Sequence, residues 1–175
     1  MILSFIILSY NQSSEIKKLI NSIMTSNIPI EHYEIIISDD CSEIFHLEKL
    51  KQISNINILT ENYNTKNQSM LRNKGIHISK NEYIYFIDGD DYLNSIELFN
   101  IYNKCLNLNT YLIFIPAFHE HSLFCTNITE DNFNNKYIIN RPMDYGICSY
   151  VINREFIINN KLFFDEVTYN WIAED

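Results

Sequence analysis

A chain of 175 residues is long enough for one domain that buries roughly 70% of its extended surface. Hydrophobic residues make up 46% and charged residues 20%, a globular balance. The net charge of −9, with no basic patch, argues against a nucleic-acid partner. Four cysteines, Cys41, Cys105, Cys125 and Cys148, lie far apart with no CxxC pair, so they read as reduced thiols of a cytosolic protein.

The apolar run Ile2–Leu8 has no basic leader and is too short to span a bilayer, so it reads as a first core strand, Ile2–Ser9. No other stretch is apolar enough to cross a membrane, and any membrane association would be peripheral. After Tyr10-Asn11-Gln12, residues Ile16, Leu19, Ile20, Ile23 and Met24 form the stripe of an amphipathic helix, with Ser13 as its N-cap and Glu15 in its first turn. A second strand, Tyr33–Ser38, ends at Asp39-Asp40-Cys41-Ser42, and a helix follows with Ile44, Leu47 and Leu50 on one face. A third strand, Ile56–Thr60, leads through a polar loop to a helix over Gln68–Ile78. The fourth strand is Tyr83–Ile87, β-branched and aromatic, which runs into Asp88-Gly89-Asp90-Asp91. Asn94 and Glu97 then make a capping-box-like pair, and Leu93 can staple onto Leu98 as helix Ser95–Leu106 begins. Beyond it come a strand over Tyr111–Pro116, an exposed polar loop over Thr126–Asn135, a strand over Ile147–Ile152 and a short helix over Arg154–Asn160. Strands alternating with helices predict an α/β fold: a doubly wound, mostly parallel sheet flanked by helices.

Two acidic clusters therefore end two strands of one predicted sheet. In a parallel sheet both lie on the same edge, outside the strand ends where such sheets bind ligands. The crowded carboxylates of Asp88, Asp90 and Asp91 repel one another unless a cation sits among them, and Mg²⁺ or Mn²⁺ bound together with substrate phosphates would supply it. The bland reading is a solvated acidic turn. Asp39 and Asp40 could hydrogen-bond a ribose or a base, Tyr10 could stack on that base, and Arg72 could pair with a phosphate or an aspartate.

Taken together these residues resemble the GT-A glycosyltransferases of family 2. The resemblance is carried, in order and spacing, by Ser9-Tyr10-Asn11, Asp39-Asp40, Arg72-Asn73-Lys74-Gly75, Asp88-Gly89-Asp90-Asp91 and Glu174-Asp175. It implies a GT-A (Rossmann-like) domain, a nucleotide-sugar donor that is usually a UDP-sugar, and inverting transfer to a saccharide or glycolipid acceptor of a bacterial surface polysaccharide. By position, Tyr10 resembles the residue that stacks on uracil, and Asp39 the one that bonds its edge. Arg72 would lie near the diphosphate and Asp88 near the ribose or diphosphate. Asp90, with Asp88, would hold the divalent cation, and Asp175 would be the base with Glu174 beside it.

The resemblance also marks two departures. Cys41 replaces the glycine usual after the paired aspartates, which is tolerable where φ is negative. The chain also stops at Asp175, where relatives continue, so it reads as one GT-A domain cut short at its C-terminal end. Its nucleotide-binding part would be about 1–110 and its acceptor part about 111–175.

Two competing functions use the same residues. A haloacid-dehalogenase-like phosphohydrolase would take Asp88 as nucleophile and Asp90 as acid/base, but it expects that motif near the N-terminus. A non-catalytic nucleotide-sugar-binding module would share the donor site without turnover. His119-Glu120-His121 reads as exposed side chains rather than a metal pair, and Cys148 has no base nearby in sequence to make it a nucleophile.

Overall fold

The computed structural model describes residues 2–107, 110–114, 127–128 and 147–167. Glu174, Asp175, the His119–His121 stretch and Cys125 lie outside them. The described residues hold five α-helices and seven strands: β1 (Leu3–Ser9), α1 (Ser13–Met24), β2 (Tyr33–Asp39), α2 (Ile44–Lys51), β3 (Ile56–Thr60), α3 (Gln68–Ile78) and β4 (Tyr83–Asp88), then α4 (Ser95–Asn107), β5 (Leu112–Phe114), β6 (Asn127–Ile128), β7 (Tyr150–Asn153) and α5 (Arg154–Asn159).

The strands form one sheet in the order β3-β2-β1-β4-β7-β5-β6. Pairing is parallel from β3 through β2 and β1 to β4, as the repeated strand–helix units predict. Beyond β4 the pairing is antiparallel, because β7 returns from far along the chain and inserts between β4 and β5. The strand order reverses direction at β1, where β4 lies opposite β2. That is the topological switch point at which an α/β sheet opens a crevice.

Alternation along the buried strands divides the core into two layers. Leu3, Phe5 and Ile7 of β1 face one side with Ile35, Ile37, Tyr83, Tyr85 and Ile87, and meet Ile16, Leu19 and Ile23 of α1, Leu50 of α2, and Leu98 and Ile101 of α4. Ile6, Ile36, Ile84 and Phe86 face the other side and meet Ile76 of α3 and Ile157 of α5. A Cβ on Gly75 would come within 2.5 Å of Ile6 Cγ2, so glycine lets α3 lie close on the sheet. Among the described residues, no helix is long and apolar enough to cross a membrane.

Some local expectations are corrected. Ser13 is the first residue of α1 and not its cap; Gln12 holds the cap position without a side-chain bond, while the Ser13 hydroxyl meets His46 Nδ1 at 2.9 Å. Ile44 is exposed, and α2 buries only Leu50. The polar stretch over Thr126–Asn135 holds β6, which pairs with β5. Ile147–Ser149 form a 3-10 turn, with the strand beginning only at Tyr150.

Candidate functional site

Register fixes the site before any side chain is considered. Ser9 is opposite Asp39, and Leu8 is opposite Asp88. The first two loops and the acidic turn therefore open on one edge of the sheet, side by side.

The two loops are sewn together by polar side chains. Asn11, at φ 56°, donates its backbone N–H to Ser42 Oγ at 2.8 Å and accepts from Glu43 N–H at 2.8 Å. Asp39 is fully buried; one of its oxygens accepts from Ser42 N–H at 2.9 Å and the other from the Ser42 hydroxyl. Asp40 accepts from Thr65 N–H, the Thr65 hydroxyl and Lys66 N–H at 2.6–2.8 Å, which fastens the loop after β3. These bonds satisfy both oxygens of each carboxylate from within the protein. Ser9 is buried beside them, its hydroxyl unpartnered among the described residues, whereas Tyr10 stands half out in solvent. Cys41 has φ 63°, so the condition of negative φ is not met and a cysteine occupies the left-handed conformation that favours glycine.

The acidic turn is pinned at both ends. Asp91 N–H donates to the Asp88 carbonyl at 3.0 Å, and Asp88 N–H donates to Asp91 Oδ2 at 3.1 Å. After the turn, Asn94 Oδ1 accepts from Ile96 and Glu97 N–H at 2.9 and 3.3 Å, so Asn94 caps α4. Gly89 has no room for a side chain: a Cβ would lie 2.6 Å from both the Leu8 carbonyl oxygen and Gln12 Oε1. Asp90 is exposed beside it.

Arg72 of α3 is buried and places Nη2 3.2 Å from Asp88 Oδ1, while half of the Asp88 carboxylate remains open to solvent. The guanidinium thus offers a fixed positive charge at the crevice, with its Nε unpartnered among the described residues.

Sequence reasoning missed Cys148 here, because more than fifty residues separate it from the acidic turn and only the antiparallel return of β7 brings it back. Asp88, Asp91 and Cys148 each offer one ligand atom, all within 4.8 Å of one another. Asp91 is an exposed residue, yet partial desolvation of its carboxyl is the largest effect and raises its pKa above the usual carboxylate range, with the Asp88 and Asp90 charges adding to the rise and the Asp88 backbone bond opposing it. Burial and the fields of Asp88 and Asp91 push the Cys148 thiol up to about 12. The crowding of Asp88, Asp91 and Cys148 fits a divalent cation, which would relieve the repulsion between the carboxylates.

Residues 4–163 match the model for glycosyl transferase family 2. Over 105 residues, 58% of this chain, it is 36% identical to the poly(ribitol-phosphate) beta-glucosyltransferase of Bacillus spizizenii and covers 17% of that protein. It is 31% identical over 63% of its length to the poly(ribitol-phosphate) beta-N-acetylglucosaminyltransferase TarP of Staphylococcus aureus, covering 35% of it. The chain therefore spans about a third or less of the length of these curated relatives. In fold it is similar to S. aureus TarS 1-349, with a TM-score of 0.76 at 20% identity, over 97% of this chain and 52% of that one. It is likewise similar to a TarS 1-349 structure in complex with UDP, with a TM-score of 0.71 at 19% identity, over 95% of this chain and 51% of the other.

Proposed function

Because the chain belongs to glycosyl transferase family 2, we propose that it binds a nucleotide-sugar donor, a UDP-sugar, and carries the donor half of an inverting transfer to a hydroxyl of a teichoic-acid-like saccharide. The observation that carries this reading is the meeting, at one sheet edge, of the Asp88–Asp91 turn, the buried Arg72 guanidinium and the loops after β1 and β2. A diphosphate needs the positive charge, and a nucleoside needs the loops. The relatives support the donor and acceptor classes: TarS has been crystallised with UDP and with UDP-GlcNAc, and TarP and the Bacillus enzyme act on poly(ribitol phosphate) by name.

In this reading Tyr10 stacks on the base, and the loop that Asp39 and Asp40 hold rigid, with Ser9 and Asn11 at its side, shapes the nucleoside pocket. Arg72 binds the diphosphate. Asp88 and Asp90 are the proposed ligands of Mn²⁺ or Mg²⁺, with Asp91 adding its charge beside Asp88; a mannosyltransferase of the same fold, with a TM-score of 0.67, has been crystallised with Mn²⁺. When bound, that cation neutralises charge on the departing diphosphate. Asp175, aided by Glu174, takes the proton from the acceptor hydroxyl on the opposite face of the sugar, and inversion follows from the in-line attack.

Calorimetric titration with UDP, with and without Mn²⁺ and with ADP and GDP as controls, tests this. Metal-dependent, uridine-selective binding is expected. Asp90→Asn should abolish the metal dependence, and unchanged Mn²⁺-dependent affinity in that variant would remove Asp90 from the site.

A further inference from the structure

The segment after α5 lies across α3 as a strap. Its course begins where Lys161, at φ 53°, ends α5 and Leu162 N–H donates to the Ile157 carbonyl at 3.0 Å. From there it runs antiparallel to α3. Phe163 stacks on His77, with ring centroids 5.1 Å apart. Phe164 follows at Asn73, and Glu166 reaches the N-terminal end of α3, where its carbonyl accepts from Asn67 Nδ2 at 3.0 Å.

Asn73 makes the central fastening. It is buried, and its amide uses both ends on one residue of the strap: Oδ1 accepts from Phe164 N–H at 2.9 Å, and Nδ2 donates to the Phe164 carbonyl at 2.9 Å. The same Nδ2 donates to Glu166 Oε1 at 2.7 Å. One side chain thus stands in for the neighbouring strand that the strap lacks. The fastening fixes Phe164, whose ring meets Phe86 edge-on at 5.4 Å and lies 5.6 Å from the Arg72 guanidinium carbon. Arg72, buried, therefore lies against the Phe164 ring with its Nη2 held at Asp88.

We propose that Asn73 is a positioning residue: by locking the Leu162–Val167 strap it keeps Phe164 over Arg72 and holds the guanidinium at the donor crevice. Arg72 has four rotatable bonds between backbone and guanidinium, and without a wall it samples orientations that do not meet a diphosphate. This inference deepens the proposed donor site and rests on it for the role of Arg72, but the enclosure of Arg72 can be tested without any ligand.

The experiment follows the Arg72 Nε–H signal by ¹⁵N NMR in the whole chain, together with strap amide exchange and UDP affinity in Mn²⁺. In Asn73→Ala, exchange of Arg72 Nε–H and of the Phe164 amide should speed up at least tenfold and UDP binding weaken five- to tenfold, while amides of β1 and β2 stay protected. Asn73→Asp keeps the acceptor for Phe164 N–H but sets a carboxylate against Glu166. It should weaken UDP binding similarly, and adding Glu166→Gln should recover at least half of the loss on a logarithmic scale. That recovery is not expected of a generally destabilised protein, and the Asp variant keeps the test alive if the Ala variant does not fold.

Unchanged Arg72 exchange in both variants overturns the proposal. So does faster Arg72 exchange with UDP affinity intact. If the unaltered chain binds no UDP, the donor reading fails, and Arg72 exchange alone then decides whether Asn73 encloses the guanidinium.

Discussion

Single positions at the crevice carry opposite kinds of strain. Cys41 occupies the left-handed region at φ 63°, which costs an L-residue roughly 1–2 kcal/mol; a glycine there loses about 0.4–1 kcal/mol through the freedom it adds to the unfolded chain. Cys41→Gly is therefore expected to stabilise the protein by about 0.5–1 kcal/mol, read as a higher urea midpoint at unchanged m-value. A lower midpoint would mean that the thiol packs more favourably than its half-exposed position suggests. Gly89 is the reverse case, since its need is for space. The Leu8 carbonyl oxygen and Gln12 Oε1 both lie 2.6 Å from where a Cβ would sit. The carbonyl belongs to the middle of the sheet and cannot yield, so Gly89→Ala should cost on the order of 1–3 kcal/mol in the same measurement. Asp91 shows a third pattern, with its pKa raised chiefly by desolvation. A carboxyl whose folded pKa exceeds its unfolded one favours the fold when protonated, below the unfolded value of 3.8, and that contribution is lost as pH rises through the folded pKa. At neutral pH the charged group opposes folding. Asp91→Asn keeps an acceptor for Asp88 N–H and removes that charge, so the thermal midpoint should rise at pH 7 while Mn²⁺-dependent UDP binding weakens. A fall in both would show that the carboxylate is structural.

Elements near the site were legible in the sequence to the extent that one local rule produced them. The stripe of α1, the limits of β3 and α3, and the turn residues after β4 all follow from short-range periodicity and capping, and they appear where the sequence places them. Asn94 shows how much one such signal does: it ends the acidic turn and begins α4 through two backbone N–H bonds. Asn94→Ala should cost about 1 kcal/mol, within the range for lost N-caps, measured by denaturant unfolding. What was not legible depends on partners far away in the chain. The β6 pairing lies in a polar stretch whose described strand is held by β5. Cys148 reaches the carboxylates through β7, and the strap is irregular chain held by Asn73, whose neighbours 91 and 93 residues away leave no periodic trace. The paired aspartates Asp39 and Asp40 were visible as charge, but their hydrogen bonds to Ser42, Thr65 and Lys66 show them first as the braces of two loops.

At the scale of the molecule, the site belongs to the folded sheet, because its parts come from the ends of β1, β2 and β4 and from α3, and no one of them forms a crevice alone. Any ligand that binds this edge must therefore stabilise the whole chain by linkage. UDP at a hundred times its dissociation constant, with Mn²⁺ present, should add about 2.7 kcal/mol to folding. For a domain of this size each kcal/mol moves the midpoint by roughly 2–4 °C, so the thermal midpoint should rise by about 5–10 °C. UDP without the metal, or ADP with it, should give a clearly smaller shift. Asp175→Asn should leave the shift unchanged, because the acceptor base proposed for it is not needed to hold the donor. A full shift with metal-free UDP would separate nucleotide binding from the acidic turn and move the weight of recognition to Arg72 and the loops after β1 and β2. No shift with any nucleotide, in a chain that otherwise unfolds in one cooperative step, would show that the crevice at the β1/β4 switch point is not a donor site in this chain.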